Sequence, residues 1–383
     1  MTSALLAKAV TPQEASHDYH FGGGNDMILK KLAGLGLTAI LLATISTAAI
    51  AQEDTSKKLY LGVGNTSAEY WTQMIWGATQ VMKSVGGDVK VISNDFDPQK
   101  SLQNIGAIVA PGCEGCIFTW FPDSPAFTKT FVERIGDAGG FITTLWNRAE
   151  EIHPWDTAAE AWVANISFDG VDAGYQNGMA MCKAIDGEGA IVVLKGVPDN
   201  APAKQRSMGL AKAIAECPGM TVLDEQVANW QQAAAQDIMR TWLTKYGDKI
   251  KGVFGQNDAM ALGAVAALRE AGLVGKIPVT GTDGSSDVVK LIESGEILST
   301  MSGLNEYQGA VAAALAYGAR VGDIKLADLS EAQRDFFVQE ILITKENASD
   351  FLARKPDPAD YTYEKIKADF WAKSAGQIPA GVN

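Results

Sequence analysis

The stretch that decides the fold lies in the C-terminal half of the chain and reads Gly252-Val253-Phe254-Gly255-Gln256-Asn257-Asp258-Ala259-Met260-Ala261-Leu262-Gly263. Here a short β-type run leads through a polar loop into a helical pattern, and residues 277–293 repeat the arrangement around Asp283. Ligands of open α/β sheets bind at the carboxyl ends of strands. The two loops therefore place Asn257 and Asp283 where a ligand would lie. Amide and carboxylate groups suit a hydroxyl-rich ligand because they supply donors and acceptors.

The same alternation runs through the rest of the chain. β-type runs and helical patterns follow one another from residue 58 to 146, and the pattern restarts after a Trp-rich connector at 152–162 and continues to residue 322. Such alternation predicts right-handed βαβ units and parallel sheets with helices on both faces. The length suggests two domains, and no Gly/Ser-rich or Pro-rich linker separates them. We therefore expect two similar doubly wound α/β lobes, joined by tight crossovers, with a ligand cleft that closes by hinge motion.

The N-terminal region predicts export to the periplasm. Residues 27–51 read as a signal peptide, with Lys30 and Lys31 before an apolar stretch and a small-residue site ending at Ala51. The apolar stretch is short for a membrane anchor, since a span needs about 20 residues. We expect cleavage after Ala51, and we interpret residues 1–26 as a leader or a mis-assigned start.

Composition and missing motifs argue against several classes of protein. The net charge of −13 gives the chain little electrostatic attraction to nucleic acid. Apart from two His residues before the predicted cleavage site, only His153 is present, which disfavours His-based metal sites and catalytic triads. Gly62-Val63-Gly64 begins a dinucleotide fingerprint without completing it, and no phosphate-binding P-loop occurs. We expect no cofactor and no metal.

Four cysteines remain to be paired: Cys113, Cys116, Cys182 and Cys217. An even number in an exported protein suggests structural disulfides, with buried thiols as the alternative, and the sequence leaves all three pairings open. The C-x-x-C motif that Cys113 begins has no second such motif to complete a zinc site. It also does not open a helix, where a redox-active thiolate would be stabilised.

Aromatic and polar side chains follow several predicted strands, which is the pattern of a sugar site. Sugars present apolar C–H faces and hydroxyl edges, so their sites combine aromatic platforms with fixed polar groups. Each residue has a structural alternative: the Trp side chains could be core aromatics, the Arg side chains surface ion-pair partners, and Asp283 a helix cap. Their common position at strand ends favours the binding site. The candidate ligand-binding residues are Tyr70, Trp71, Trp120, Asn147, Arg148, Arg206, Trp230, Asn257 and Asp283.

Four segments of the chain carry a resemblance to a known family. They are residues 254–264, Gly281-Thr282-Asp283-Gly284, Gln205-Arg206-Ser207-Met208-Gly209-Leu210 and Thr144-Leu145-Trp146-Asn147-Arg148. On these segments the chain resembles the type I periplasmic sugar-binding proteins of ABC importers, the relatives of ribose-binding protein. The resemblance covers about residues 58–347. It implies a monomer that closes around a monosaccharide or sugar alcohol and presents it to the permease of an ABC importer, without catalysis.

The resemblance also implies roles for individual residues. Asn257, Asp283, Arg206 and Arg148 would bind sugar hydroxyls. Tyr70 and Trp71 would sandwich the ring from one lobe, and Trp230 would meet it from the other.

Four departures from the ribose-type pattern make ribose an unlikely ligand. Asn147 stands where an Asp is usual, Ala68 where the ribose type has an Asn, and Trp120 where a polar residue is usual. Gly303 replaces a Gln that closes the pocket, which we expect to leave room. We therefore expect a ligand with a larger apolar face or a differently shaped polyol, and Glu69 could meet an amino sugar.

The family fold implies three crossovers, near residues 166–169, 301–304 and 338–341. Lobe one would comprise residues 58–166 and 304–338, and lobe two residues 167–303 and 339–383. Two other functions stay open. One is a secreted glycoside-processing enzyme that uses a carboxylate pair such as Asp258 and Asp283. The other is a sugar sensor that presents its ligand to a membrane chemoreceptor.

Overall fold

The strands and helices of the chain alternate as the sequence predicts. The computed structural model describes residues 57–379, so the predicted signal peptide and leader lie outside the described residues. The strands are β1 (Lys58–Val63), β2 (Asp88–Ser93), β3 (Ile117–Trp120), β4 (Phe141–Leu145), β5 (Trp162–Phe168), β6 (Glu188–Lys195), β7 (Gly219–Val227), β8 (Ile250–Gly255), β9 (Val279–Thr282), β10 (Ser299–Gly303), β11 (Asp335–Val338), β12 (Glu340–Ile343) and β13 (Ser374–Gln377).

The helices cover both faces of the sheets. In chain order they are α1 (Glu69–Ser84), α2 (Pro98–Val109), α3 (Pro125–Asp137), α4 (Gly170–Ala184), α5 (Ala201–Glu216), α6 (Gln232–Tyr246), α7 (Asp258–Glu270), α8 (Ser286–Ser294), α9 (Asn305–Val321), α10 (Glu331–Arg334), α11 (Ala348–Ala353) and α12 (Tyr363–Ala368).

The strands form two sheets, and each sheet is the centre of one lobe. The first sheet has the order β2-β1-β3-β4-β5-β11-β13 and the second the order β7-β6-β8-β9-β10-β12. Neighbouring strands are parallel except at one edge of each sheet. There β13 pairs antiparallel with β11 in the first sheet, and β12 pairs antiparallel with β10 in the second. Two apolar clusters lie in each lobe, as expected for sheets covered by helices on both faces. The predicted fold class is confirmed.

The chain crosses between the sheets at the three predicted places. It passes from β5 to α4 through Asp169, from β10 to α9 through Leu304, and from β11 to β12 through Gln339. The last crossing is short because one residue separates a strand of the first sheet from a strand of the second. Three such adjacent connections are the arrangement that lets two lobes rotate about a hinge.

The C-terminal segment differs from the predicted lobe boundaries. We expected residues 339–383 to belong to lobe two, but β13 pairs with β11 of the first sheet. The side chains of Tyr363 and Phe370 join the lobe-one core, and the Trp371 indole donates to the Gln333 carbonyl oxygen at 3.0 Å. The chain therefore crosses a fourth time, between α11 and α12, because its aromatic residues find an apolar partner surface on lobe one.

Close helix contacts fix the two helices that carry site residues. In lobe one α1 packs on α9, and a Cβ on Gly77 would lie 1.8 Å from the Glu306 carbonyl oxygen. In lobe two α5 packs on α4, and a Cβ on Gly209 would lie 2.1 Å from the Val171 carbonyl oxygen. Only glycine permits such approach of two backbones. The positions of α1 and α5 are thus set by main-chain contact.

Candidate functional site

A cavity lies between the lobes, at the carboxyl ends of the strands of both sheets. Its lining comes from the segments that follow β1, β2, β3 and β4 in lobe one and β6, β7, β8 and β9 in lobe two. This is the place where open α/β sheets bind ligands. The lining residues are Asn65, Ala68, Tyr70, Trp71, Phe96, Phe121 and Trp146 of lobe one, and Asn200, Pro202, Arg206, Trp230, Asn257 and Asp283 of lobe two.

The lobe-one side of the cavity is an aromatic wall. The Trp71 ring makes edge contacts with the rings of Tyr70, at 4.7 Å between centroids, and Phe121, at 5.1 Å. The Phe96 ring lies 6.5 Å from the Trp71 ring and 6.0 Å from the Phe121 ring, measured between centroids. The Tyr70 hydroxyl accepts a hydrogen bond from the Trp146 indole at 2.8 Å, and its burial raises its pKa well above the ordinary value. Such a surface offers ring faces to the apolar side of a ligand.

Arg206 places a positive charge in the cavity between two indole rings. Its guanidinium carbon lies 5.4 Å from the Trp146 ring centre and 5.7 Å from the Trp230 ring centre. One terminal nitrogen donates to the Gln256 carbonyl oxygen at 2.6 Å, while the buried Nε has no partner among the described residues. Because the two rings come from different lobes, the guanidinium is held in place from both sides.

Asn257 and Asp283 complete the polar side. Asn257 is the N-cap of α7, and its side-chain oxygen accepts from the Met260 N–H at 2.9 Å. Asp283 has a φ of 137° and donates its N–H to the Met301 carbonyl oxygen at 2.7 Å. Burial and the neighbouring Asp258 carboxylate raise the pKa of Asp283, while the Arg206 charge opposes this rise. A backbone strained in this way is typical of functional positions.

Asp258 supports the loop that presents Asp283. One carboxylate oxygen accepts from the Thr300 hydroxyl at 2.6 Å, and the other accepts from the N–H and the hydroxyl of Ser285 at 2.7 and 2.8 Å. Burial raises its pKa, and these hydrogen bonds oppose the rise. Asp258 therefore joins β10 to the loop after β9 through hydrogen bonds. Because both of its carboxylate oxygens have protein partners, its role is to hold this loop in position.

The cavity brings together six of the nine predicted residues and leaves out three. Tyr70, Trp71, Arg206, Trp230, Asn257 and Asp283 line it. The others, Trp120, Asn147 and Arg148, are completely or almost completely buried and are held by protein groups.

The expected ligand contact of Arg148 is replaced by a buried ion pair. Its guanidinium donates to the Asp335 carboxylate at 2.5 Å and to the carbonyl oxygens of Ala149 and Glu150. Asp335 in turn accepts from the Asn165 amide at 2.9 Å. Arg148 thus joins the loop after β4 to β11. The alternative of a surface ion-pair partner is correct about the ion pair, but the pair is buried, with each side chain 1% exposed.

Trp120 also turns away from the cavity. Its ring covers Gly62 of β1, where a Cβ would lie 2.2 Å from the ring, and its indole N–H donates to the Ser101 hydroxyl at 2.6 Å. It belongs to the apolar cluster on the outer face of the first sheet. The replacement of a polar residue by Trp120 therefore changes the core of lobe one and leaves the cavity lining unaltered.

Gly303 does not enlarge the cavity as we expected. A Cβ on Gly303 would lie 2.2 Å from the Phe168 ring, so this ring fills the space beside the glycine. Phe168 in turn packs against Trp146, with 5.6 Å between ring centroids. The missing Gln side chain is replaced by aromatic packing behind the cavity wall.

Asn147 and Glu69 connect the lobes. The Asn147 side-chain oxygen accepts from the N–H of Ala201, the first residue of α5, at 2.8 Å. The Glu69 carboxylate accepts from the N–H and the hydroxyl of Ser286, the first residue of α8, at 2.8 and 2.5 Å. Neither helix receives a hydrogen bond from the side chain of its own N-cap residue. Two lobe-two helices are therefore capped from lobe one, and Glu69 is not available to an amino sugar.

A third interlobe contact closes the same side of the cavity as Asn147. The Asn200 amide donates to the Asp123 carbonyl oxygen at 2.9 Å, and its oxygen accepts from the Trp230 indole at 3.1 Å. The Ser124 hydroxyl contacts the Asp199 carboxylate beside it. These contacts show a closed arrangement of the lobes.

The sequence reasoning missed several lining residues. Asn65, Phe96, Phe121, Asn200 and Pro202 were not candidates, although each lies in a segment that follows a strand of one of the two sheets. Trp146 also lines the cavity; it stands in a segment that carries the family resemblance but is not among the predicted binding residues. The available signal was position in the chain, because the segments that follow β1–β4 and β6–β9 all contribute to the cavity.

The cysteines form two disulfides, Cys113–Cys116 before β3 and Cys182–Cys217 between the C-terminal ends of α4 and α5. The second closes a separation of 35 residues within lobe two. Within residues 57–379 no cluster of three or more His, Cys, Asp or Glu side chains could hold a metal ion. In the same part of the chain no helix is both long and apolar enough to cross a membrane.

The described fold and cavity agree with a known family. A family model of the periplasmic binding protein domain matches residues 60–323. The chain belongs to this family. Among solved structures, the twin-arginine translocation pathway signal protein from Burkholderia phytofirmans aligns with a TM-score of 0.80 and 33% identity. That alignment covers 84% of this chain and 98% of the other.

Two curated relatives of this periplasmic binding protein bind small polyhydroxylated compounds according to their names. The ribose import binding protein RbsB of Escherichia coli is 29% identical over 74% of this chain and 90% of its own length. The xylitol-binding protein of Mycolicibacterium smegmatis is 37% identical over 36% of this chain, and that match spans only 39% of the relative.

Proposed function

We propose that this periplasmic binding protein captures a monosaccharide or sugar alcohol between its lobes and delivers it, in the closed form, to the permease of an ABC importer. The observation that carries the proposal is the composition of the cavity. An aromatic wall faces the polar groups of Arg206, Asn257 and Asp283. Aromatic faces pack against sugar C–H groups, while the polar groups bind hydroxyls. The ribose and xylitol proteins among its relatives support this ligand class.

Ligand contact is proposed for the six predicted residues that line the cavity, namely Tyr70, Trp71, Arg206, Trp230, Asn257 and Asp283. The ligand would favour closure because only the closed form joins both sets of groups around it. The protein would act as an exported monomer, cleaved after Ala51, without catalytic activity. Its lobes would correspond to the two sheets, with the C-terminal strand in lobe one.

Thermal unfolding of residues 52–383 against pentoses, hexoses, amino sugars and sugar alcohols tests the ligand class. A ligand at 1,000 times its dissociation constant adds about 4 kcal/mol to the free energy of unfolding. For a protein of this size the melting temperature should rise by several degrees. One hit, or a few stereochemically related hits, supports the proposal. A flat panel with folded, ligand-free protein refutes it.

A matched pair of variants connects binding to the cavity. Asp283→Asn should weaken binding of the identified ligand by about tenfold or more, because one of the two carboxyl oxygens is replaced by an NH2 donor that cannot accept a hydroxyl hydrogen. Asp287→Asn, at an exposed site on α8 with an ion pair to Lys290, should leave affinity unchanged. Equal affinities of the two variants would place the ligand elsewhere.

Two further measurements address the other functions. Product analysis of the ligand mixtures tests the glycoside-processing enzyme, which would consume its substrate. Pull-down with a chemoreceptor domain and with the permease tests the sensor, since both partners would recognise the closed form. We favour transport because the periplasmic binding proteins named above include an import protein.

A further inference from the structure

The two lobes line the cavity with side chains of different chemistry. On the lobe-one side, Asn65 is one of the polar lining residues. The Asn65 side-chain oxygen accepts from the N–H groups of Ser67 and Ala68 at 3.0 and 2.9 Å, and also from the Ser67 hydroxyl. Its lone pairs are therefore occupied by its own loop. Within residues 57–379 the side-chain amide nitrogen of Asn65 and the indole nitrogen of Trp71 have no acceptor. Both of these groups are donors.

The Tyr70 hydroxyl is likewise occupied. It donates to the Gln308 side-chain oxygen at 2.7 Å and accepts from the Trp146 indole at 2.8 Å. The remaining lobe-one lining side chains, Ala68, Phe96 and Phe121, are apolar. The lobe-one side chains that line the cavity therefore offer ring faces and N–H donors to a ligand. None of these lining side chains is a carboxylate that could receive a hydroxyl hydrogen.

Lobe two holds the charged groups of the lining. Arg206 keeps a buried Nε–H that has no partner in the described part of the chain. Asn257 uses its side-chain oxygen as a helix cap, which leaves its amide hydrogens for a ligand. Asp283 provides the only carboxylate of the lining, and a carboxylate can accept from two hydroxyls.

From this asymmetry we propose that the ligand is a hydroxyl-poor sugar or cyclic polyol. It carries a hydroxyl pair on one edge, which lobe two binds through Asp283, Arg206 and Asn257. Its opposite edge faces the aromatic wall and bears hydrogen, methyl or ether oxygen in place of hydroxyl, as in deoxy or O-methyl sugars. This inference rests on the proposed function and narrows its ligand class.

The physical reason is the cost of a buried hydroxyl hydrogen that finds no acceptor. On the lobe-one side such a hydrogen leaves water without gaining a side-chain partner. An ether oxygen avoids this cost, because it only accepts and can use the free N–H groups of Asn65 or Trp71. A methyl or methylene group also avoids it and adds apolar contact with the rings.

The experiment is titration calorimetry of residues 52–383 with a parent sugar or polyol found in the panel and its complete set of monodeoxy and mono-O-methyl derivatives. Loss of a hydroxyl bound by lobe two should weaken binding by about tenfold or more. At least one derivative altered on the opposite edge should bind as tightly as the parent or more tightly. If every derivative binds at least tenfold more weakly than the parent, the inference is wrong while the proposed function stands.

Double-mutant cycles assign each hydroxyl to a lobe. The hydroxyls whose removal is costly should be energetically coupled to Asp283→Asn and uncoupled from Asn65→Ala, which removes a lobe-one donor. Coupling of costly hydroxyls to Asn65 of the same size as to Asp283 would overturn the one-sided site. Failure of all parents and all derivatives to bind would instead refute the proposed function itself.

Discussion

Arg148 and Asp335 form a charged pair in the interior of lobe one, with each side chain only 1% exposed. A buried pair is costly to break on one side, because the remaining charge loses its partner in a medium that solvates it poorly. Burial raises the pKa of Asp335, and the Arg148 charge works against this rise. The pair thus stabilises the closely packed region where β5 and β11 meet.

We predict that Arg148→Met lowers the free energy of unfolding by about 3–5 kcal/mol and leaves the ligand affinity of the folded protein within about threefold. The reason is that the guanidinium contacts protein oxygens rather than the cavity. Urea unfolding and calorimetry measure the two quantities. A large loss of affinity with unchanged stability would restore Arg148 to the binding site.

Asp123 predicts a pH dependence of stability. It is 3% exposed, and burial raises its pKa to about 7, with the charges of Asp97 and Asp95 adding to the rise. An acid whose pKa is raised in the folded protein binds more protons in the folded than in the unfolded state. Its contribution to the free energy of unfolding is therefore complete below the unfolded-state pKa, about pH 4, and is lost as the pH rises to the folded-state pKa of about 7. We predict that unfolding free energy falls across this window.

The variant Asp123→Asn should flatten that pH profile and raise stability at pH 8 relative to the wild type. The wild-type decrease attributable to Asp123 should be roughly 2–4 kcal/mol, since one pKa unit corresponds to about 1.4 kcal/mol. Denaturant unfolding at a series of pH values provides the measurement. Parallel profiles for the two proteins would contradict the assignment, and Asp137→Asn on the surface of α3 serves as the control.

How far single residues could be predicted follows from backbone direction. Asn257 and Asp283 were predictable because each follows a buried strand directly and their loops are short. Arg148 was not, because Trp146 has a φ of 62° and turns the chain after β4. A left-handed residue of this kind redirects the side chains that follow it. The sequence pattern contained no sign of this turn.

At the scale of elements, the N-termini of α5 and α8 depend on the opposite lobe. A helix N-terminus carries unsatisfied N–H groups and a partial positive charge, so a carboxylate there is stabilising. Glu69 provides it for α8, and Asn147 provides a neutral cap for α5. Because these bonds join the two lobes, they stabilise the closed arrangement selectively.

We predict that Glu69→Gln weakens ligand binding by about fivefold, equivalent to roughly 1 kcal/mol for a capping carboxylate. Unliganded stability should change little if the open form dominates without ligand. Calorimetry and urea unfolding test both parts. The control is Glu133→Gln, which changes an exposed glutamate on α3 that pairs with Lys129 of the same helix. An equal loss of ligand affinity in this variant would argue against the interlobe cap.

The elements themselves were largely predictable up to residue 322. The apolar residues of α1 recur at three- and four-residue spacing. The Asp97 side chain accepts from the N–H groups of Gln99 and Lys100 at the start of α2, so both helices have local sequence signals. The caps of α5 and α8 were not predictable, because their partners lie 54 and 217 residues away. Pairing over such distances depends on the assembled lobes and leaves no local pattern.

At the scale of the molecule, the fourth crossing returns the C-terminal segment to lobe one. Phe370 is buried in the lobe-one core, while Phe351, before the crossing, packs against the lobe-two core. The sequence did not reveal this division because both segments are short and irregular. Strand β13 has few apolar residues and gains its place by pairing with β11.

We predict that Phe370→Ala destabilises lobe one by about 3–5 kcal/mol through the cavity it creates. Hydrogen exchange should then show faster exchange in α1 and α9 than in the wild type, with lobe two less affected. Phe351→Ala is the matched change in the same C-terminal segment, and its effect should appear in α8. If Phe370→Ala instead made hydrogen exchange faster in lobe two, the C-terminal segment around Phe370 would belong to that lobe.

The position of Arg206 between Trp146 and Trp230 also gives the molecule an optical signal. The two indoles belong to different lobes and share one guanidinium, so separation of the lobes would change the surroundings of at least one emitting ring. Of the nine Trp residues, Trp120, Trp162 and Trp242 are fully buried in the core of a single lobe, so hinge motion leaves their surroundings intact. Intrinsic fluorescence could therefore follow opening and closing in real time without any attached dye.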